Sequence, residues 1–584
     1  MALVWLLFGI VLPISSSELP ENEDDNALRD EVEYLLANPI DLNRATVEDL
    51  LAVPWLNPLL AYRVVAARDS AGGFAAVREL LDVPGMTKEQ YELLRSVVTV
   101  ARKPSPNWAG SALARVVTDS VPPRMRSWAS LKRLNVTQGS WRGSAVVEKD
   151  RGEIGWADWL GIGIQHTGTR LRVTAGDYST GLGLGLVFSG PYQRGSTTWL
   201  ASSGAPSMMR LVGTALENRN LRGLGVELNS GSWRFGGFGS LAARDARLNP
   251  DGTVERLMLS GTHDSASSVW RRRIQEASVG VLADRFWQRV RVQVGGCGVR
   301  YSRAFVPQDS VHSFCGNALA VGGVGLEACA GAYLVRAEAA GSSDGGYAAA
   351  MMLDGNWPSW TADLAVTGYT ARFFAPLGRW RALTDRRSRL EGRVGLGFRH
   401  AGFRAKLSGN TYRDFVLDSL PAKLELDLGY NPGRFEAKLK LGRSSRLEQG
   451  RSRTAQLELD CDLTRTGLRL VLADEYPELV SGRGRMAGLV AKVKLDRFWL
   501  VLTAARFDIV GKGVRMYFTE YGPMRVGFGF STSSSAWRGT LGFGYRVNRR
   551  TGIGIRLGYT ARQTISLESG VQLEVGFPEG ISKD

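Results

Sequence analysis

The sequence predicts a small all-α domain followed by a large antiparallel transmembrane β-barrel of roughly 20–26 strands. Three observations carry this expectation. From about residue 111 to residue 577 the chain alternates apolar and polar residues with period two. The alternating segments run to roughly 9–12 residues, the length that crosses a bilayer at a tilt. Between residues 40 and 100 the pattern is helical instead, and Val53-Pro54-Trp55-Leu56-Asn57 returns thirty residues later as Val83-Pro84-Gly85-Met86-Thr87. After the first 17 residues no apolar run reaches the ~20 residues of a spanning helix. A chain of this kind crosses a membrane with strands.

Taken in order, Met1–Ser17 reads as a secretory signal. Leu3–Leu12 is its apolar core and Ser15-Ser16-Ser17 supplies small residues, although no Lys or Arg precedes the run. Residues 18–39 form an acidic leader with a helix. Residues 18–103 hold 16 acidic and 9 basic residues, a net of −7. The rest of the 584-residue chain holds 41 acidic and 64 basic residues, a net of +23. The overall charge of +16 is thus an average over an acidic module and a basic strand-rich part.

The helical module spans residues 40–100. Thr46 caps a first helix, with Glu48 and Asp49 at its positive end and Leu50, Leu51 and Val53 on its apolar side. Pro54 to Asn57 break it, and Pro58 restarts a helix at its first position, continued by Leu59, Leu60, Tyr62, Val64 and Val65. Gly72-Gly73-Phe74 is a turn. Val77, Leu80, Leu81 and Val83 form a third helix, Gly85 marks a second hairpin, and Thr87 caps a fourth helix that buries Tyr91, Leu93, Leu94, Val97 and Val98.

The phrase Asp41-Leu42-Asn43-Arg44-Ala45-Thr46, the two Pro-x-hydrophobic hairpins and the Phe74 turn resemble the tandem helix-hairpin-helix domain of ComEA-type DNA-uptake proteins. The whole chain resembles bacterial exported proteins that fuse such a domain to an outer-membrane barrel. The resemblance implies recognition of a nucleic-acid backbone without base readout. In that chemistry a Gly-hydrophobic-Gly turn brings backbone N–H groups to a phosphate at a helix N-terminus, and a nearby cation adds charge. Carried over residue by residue, the candidate phosphate-binding set is Pro84, Gly85, Met86, Thr87 and Lys88. The first hairpin, Pro54, Trp55, Leu56 and Asn57, is degenerate, because Trp55 and Asn57 stand where the glycines would be. Thr87 likewise replaces the second glycine of the second hairpin. Residues 40–100 also hold 8 acidic against 6 basic residues, so the basic footprint of a nucleic-acid binder is missing. Docking on a protein or on the barrel is the competing reading.

Residues 101–110 form a linker, 111–577 the barrel and 578–584 a tail. In the last strand Ile565, Leu567, Val571, Leu573, Val575 and Phe577 share one face, against Ser566, Glu568, Gly570, Gln572 and Glu574. Trp537, Leu541, Phe543 and Tyr545 oppose Arg538, Thr540 and Gly544 in the same way. Lys423, Glu425 and Asp427 are expected to stand beside Glu436, Lys438 and Lys440 across a turn at Asn431-Pro432-Gly433, so that opposite charges offset each other inside the barrel. Trp156, Trp159, Tyr521, Phe498 and Trp499 are expected at segment ends as interfacial girdles. Gly176-Asp177-Tyr178 and Gly181-Leu182-Gly183-Leu184-Gly185 lack the Lys-Ser/Thr of a phosphate-binding loop, and read as a bend or an inward segment crossing the lumen.

Metal and cofactor chemistry finds no support in this pattern. Cys297, Cys315, Cys329 and Cys461 show no close spacing of metal ligands; they read as small apolar fillers, with a Cys315–Cys329 disulfide as the alternative. His166, His263, His312 and His400 form no recognisable catalytic array, so a hydrolase is the least favoured reading. The expected protein is a non-enzymatic barrel, a pore or scaffold, in the outer membrane of a diderm bacterium. Its helical module faces the periplasm and docks or plugs. The alternative is a DNA-uptake protein whose module grips DNA. Expected partners are outer-membrane lipid, the barrel assembly machinery, and either DNA or a periplasmic protein.

Overall fold

The computed structural model describes residues 35–577 apart from 36–38, 44, 46, 52, 54, 55, 57, 87–89, 92, 93, 101–107, 119–127, 151, 152, 154, 190–207, 216, 217, 259–266, 288, 308–313, 379–388, 415–421, 432, 447–449, 464, 478–481, 512, 513, 515, 522–526, 549, 550, 563 and 564. The expected signal, nearly all of the acidic leader and the tail lie outside the described residues. So do Pro54, Trp55, Asn57, Thr87 and Lys88, and also His263 and His312.

Twenty-four long strands close into one antiparallel barrel. The first, Ala109–Thr118, pairs with Trp128–Gln138 on one side and with the last, Ile565–Phe577, on the other. Each strand otherwise pairs with its neighbour in sequence, so the barrel is an up-and-down meander with no free edge. Short elements 210–211, 246–248 and 254–257 extend the wall.

The alternation sorts side chains as expected. Leu160, Ile162 and Ile164 are exposed on the outside, as are Val279 and Val281 and later Ile553, Ile555 and Leu557. Arg538, Thr540 and Gln572 are buried on the inside. So large an apolar belt is unstable in water and fits the hydrocarbon of a bilayer. No helix among the described residues is long and apolar enough to cross a membrane.

The two ends of the barrel differ. Short turns, such as 331–332 after Ala330 and 401–402 after His400, connect strands at one end. Gly331 takes φ +59° in the first of these, while Ala401 and Gly402 are both left-handed, the geometry of a tight two-residue hairpin. Long connections lie at the other end: 180–220, 245–273, 370–388 and 511–535. Exposed Trp141, Trp233, Tyr333, Trp360, Phe403 and Phe498 ring the short-turn end as an aromatic girdle. Of the girdle residues expected from sequence, Phe498 takes this place. Trp159 instead points inward and is buried, with the Arg222 guanidinium 4.6 Å above its ring. Trp499 also points inward, covering Gly544, its partner across the strand pair. Trp156 sits exposed in a long loop, and Tyr521 ends an inward hairpin rather than a wall strand.

The proposed Cys315–Cys329 bridge does not form. Cys315 directly precedes the strand Gly316–Ala330 and Cys329 is its penultimate residue, so the two lie at opposite ends of it. That is ~45 Å at ~3.3 Å per residue, against a limit of ~7 Å for a disulfide. All four cysteines are free thiols, and Cys297 is buried.

Candidate functional site

The helical module has its own core. Leu42, Leu50, Val53, Leu56, Leu60, Val64, Leu80, Val83, Leu94 and Val97 cluster there. Its ends are tied by a parallel pairing of Ile40–Asp41 with Val98–Thr99. Pro58 opens the helix Pro58–Ala71, and Gly73 N–H donates to the Arg68 carbonyl at 2.9 Å to close it. The Asp41-Leu42-Asn43 phrase acquires a structural reason. The Asn43 amide donates to Phe74 O at 2.9 Å and accepts from Phe74 N at 2.7 Å, clasping the turn between the two halves. The third helix is a tighter 3-10 segment, Val77–Asp82, whose Glu79 carboxylate accepts from the N–H groups of Ala75 and Ala76.

The doubled phrase is a doubled turn. Leu56 N–H donates to Val53 O at 3.1 Å, and Met86 N–H donates to Val83 O at 3.0 Å. In each case the apolar fourth residue packs into or against the module core. In the second turn Pro84 precedes Gly85, which has φ +89°. Proline followed by a left-handed glycine is what a type II turn requires. Of the candidate phosphate-binding set, the structure therefore places Pro84, Gly85 and Met86 on one turn, while Thr87 and Lys88 lie outside the described residues.

This second turn faces the barrel. Arg63, on the helix Pro58–Ala71, donates through Nη1 to Pro84 O at 3.1 Å and through Nη2 to Gly331 O at 3.3 Å. One guanidinium fork thus bridges the hairpin and the short turn between the strands Gly316–Ala330 and Tyr333–Ser342. A Cβ added to Gly85 would lie 2.4 Å from Arg63 Nη1 and 3.5 Å from Asn356 Nδ2. Asn356 ends the neighbouring strand Tyr347–Asn356, and its N–H binds Ala332 O at 2.9 Å. The one turn whose glycine matches a phosphate cradle is therefore covered by an arginine and by the barrel rim. Nothing in the sequence signals these contacts: Arg63 reads as an ordinary exposed helical arginine, and Gly331 as one of many turn glycines.

The barrel interior is the second part of the site. The glycine-rich run after residue 180 folds inward. Leu182, Leu184, Leu186, Val187 and Phe188 are fully buried there, together with Phe374 and Leu377 of another inward loop. Glu338, on the inner wall and 2% exposed, holds this segment in place. Its carboxylate accepts from the N–H groups of Leu184 (2.5 Å), Leu186 (3.1 Å) and Val187 (3.2 Å). Gln293 accepts from Gly183 N–H at 3.1 Å. Upstream, Gly176 at φ +93° lets two strands approach, and a Cβ there would meet Ile162 O at 2.1 Å. Asp177 beside it accepts a two-pronged bond from Arg222, 2.9 Å at each oxygen.

A second inward element is the hairpin Met516–Tyr521 with Gly527–Thr532. Met516, Phe518 and Phe530 pack on Met486, Val490, Val501 and Phe507 of the wall. Between these two plugs the wall differs. None of the described residues from 378 to 470 belongs to a buried apolar cluster. The inward side chains there are charged and half-exposed. Lys423 and Lys440 bind Glu425 at 2.8 and 3.3 Å, Lys438 binds Glu436 at 3.0 Å, and Arg469 binds Asp460 at 2.6 Å. The register places Asp427 opposite Lys440, so the expected offset of charges is present, shifted along the strand. His166 stands on the outward face against Trp141, with ring centroids 4.7 Å apart, away from the lumen.

Comparison with known proteins bears on the helical module. A family profile described as the helix-hairpin-helix motif matches residues 37–99. No curated protein matches the chain. Among solved structures, the translocation pore of the P pilus usher PapC is 10% identical, with TM-score 0.39, over 81% of this chain and 100% of that one. The siderophore receptor PirA from Acinetobacter baumannii is 8% identical, with TM-score 0.41, over 82% of each chain. The outer membrane protein OpdK from Pseudomonas aeruginosa is 8% identical, with TM-score 0.31, over 52% of this chain and 93% of that one. Identities and scores of this size assign neither a role nor a solute. The chain is a transmembrane β-barrel of 24 strands that carries a helix-hairpin-helix domain at its N-terminus.

Proposed function

We propose that the protein is a non-enzymatic outer-membrane pore or scaffold, partly plugged from within, whose helix-hairpin-helix module docks on the periplasmic mouth. The observation that carries this reading is the Arg63 fork between Pro84 O and Gly331 O, which joins module to barrel at the short-turn end. In outer-membrane barrels short turns face the periplasm and long loops face outward. The aromatic girdle and the half-exposed charged wall suit a membrane pore with a wet corridor beside its plugs.

The DNA-binding reading is favoured by the motif match over residues 37–99. ComEA-like use of this domain would require the Gly85 turn to leave the barrel rim before it could meet a phosphate. The two readings differ in one experiment on the full chain in lipid nanodiscs. Arg63→Ala is expected to raise amide exchange at Gly85, Met86, Gly331 and Ala332 under docking. If docking occludes a DNA site, the same substitution strengthens salt-sensitive binding of double-stranded DNA, and Gly85→Glu abolishes it. No exchange difference between wild type and Arg63→Ala would refute docking. No DNA binding by either form at low salt removes the DNA reading.

A further inference from the structure

The stretch of inner wall between the two plugs carries two chains of ion pairs. In the first, Arg404 binds Glu436, Glu436 binds Lys438 at 3.0 Å, Lys438 reaches Asp460 at 3.6 Å, and Arg469 closes the chain on Asp460 at 2.6 Å. In the second, Glu425 stands between Lys423 at 2.8 Å and Lys440 at 3.3 Å. Register adds three more opposed pairs. Asp427 lies opposite both Lys406 and Lys440, and Glu458 lies opposite Lys438. These six cations and five carboxylates interleave across five neighbouring strands. At the flank Arg393 binds Asp363 at 3.3 Å, a further neutral pair.

Water reaches these pairs. Arg404 and Lys440 keep 48% and 50% of their side-chain surface, whereas Arg291, paired with Asp284 in the plugged sector, keeps 5%. Exposed ion pairs contribute little to stability, so holding the barrel together does not account for so many charges here. Their effect is on the field in the corridor. A lumen lined by one sign concentrates counter-ions and excludes co-ions. Opposite charges interleaved at the strand spacing of ~4.8 Å cancel over less than the ~8 Å Debye length at physiological salt. The two signs are not sorted onto separate walls either, because the strands Ala422–Tyr430 and Phe435–Arg446 each carry both.

We infer that this corridor passes small hydrated inorganic ions of both signs with little preference between them, and that Glu425 and Glu436 set the balance. Each of these carboxylates is shared by two cations, Glu425 by Lys423 and Lys440, and Glu436 by Arg404 and Lys438. Removing both takes the eleven interleaved groups from six against five, a net of +1, to six against three, a net of +3. The potential along the path then acquires one sign, and anions are admitted over cations. The inference rests on the pore reading and names the solute class of that same path.

The test is the ratio of potassium to chloride permeability, taken from the reversal potential of the full-length protein in planar bilayers under a KCl gradient. Wild type is expected to give a ratio within about twofold of one. The double variant Glu425→Gln with Glu436→Gln is expected to favour chloride by about fivefold or more, and Lys438→Gln with Lys440→Gln to favour potassium. Glu436→Gln with Lys438→Gln, which removes one charge of each sign, is expected to keep the wild-type ratio. Heat-modifiable gel mobility shows that each barrel is intact, and the wild-type ratio decides alone if a variant does not fold. A wild type that prefers one sign by more than about fivefold, or an unchanged ratio in the folded Glu425→Gln, Glu436→Gln variant, overturns the inference and leaves the pore reading standing. A folded wild type that conducts neither ion removes the pore reading, and the inference with it.

Discussion

Replacing Glu338 by alanine is expected to release the inward segment 180–189 and widen the conducting path. Burying Leu182, Leu184, Leu186, Val187 and Phe188 contributes ~1.5–3 kcal/mol for each side chain. Ordering some ten residues costs ~1–2 kcal/mol each. These terms nearly cancel, so the hydrogen bonds decide the sign. Glu338 satisfies the buried N–H groups of Leu184, Leu186 and Val187. Leaving each of three such donors unpaired costs ~1–3 kcal/mol, a sum that exceeds the remaining margin. Single-channel conductance in planar bilayers is expected to rise severalfold in Glu338→Ala, with heat-modifiable mobility retained. Glu338→Gln is expected to fall between the two, because its amide keeps one acceptor and adds donors that face donors. Wild-type conductance in Glu338→Ala would show that the segment is held without the carboxylate.

Gly488→Val is expected to eject the second inward element. Gly488 lies on the inner wall, and a Cβ there would sit 2.2 Å from the ring of Phe518, which is buried at 3% exposure. The ring covers the glycine as aromatic side chains elsewhere in this barrel cover Gly280 and Gly544. Gly484 makes the same room for Val514 and Met516. A valine leaves the hairpin no seat, so burial of Phe518, Phe530 and Met516 is lost, at ~1.5–3 kcal/mol each. Limited proteolysis of the folded variant is expected to cleave within residues 511–535 at least tenfold faster than in wild type. Equal cleavage rates in the two proteins would show that the hairpin is held by something other than this contact.

The barrel was legible because its signal is repeated. Each strand alone is weak, but two dozen segments in one period, with opposite charges facing each other at Asp427 and Lys440, leave little else for the chain to form. The module was legible as helices and turns because Pro58, Gly73 and Gly85 act locally, through fixed φ or positive φ. The inward run at 181–185 could be read as unusual, since glycine in that density suits neither a wall strand nor a helix. What held it could not. Glu338 sits in the strand Tyr333–Ser342 at an ordinary inward position, over 150 residues away, and alternation marks the face without naming the partner. The same limit hid Arg63 and Gly331, whose contact is 268 residues apart in sequence. Trp159 and Trp499 were misplaced for a related reason. A tryptophan at a strand end can stand outward in a girdle or inward over a glycine, and the choice depends on the neighbouring strand.

In the proposed function, the helical module closes on the mouth of a partly plugged barrel. The most direct test is single-channel conductance in planar bilayers of the full chain and of a chain lacking residues 18–103, both shown to be folded by heat-modifiable mobility. The account predicts small, rarely open channels for the full chain and a larger, steadily open conductance after removal, with Arg63→Ala between them. Identical conductance in all three would contradict it.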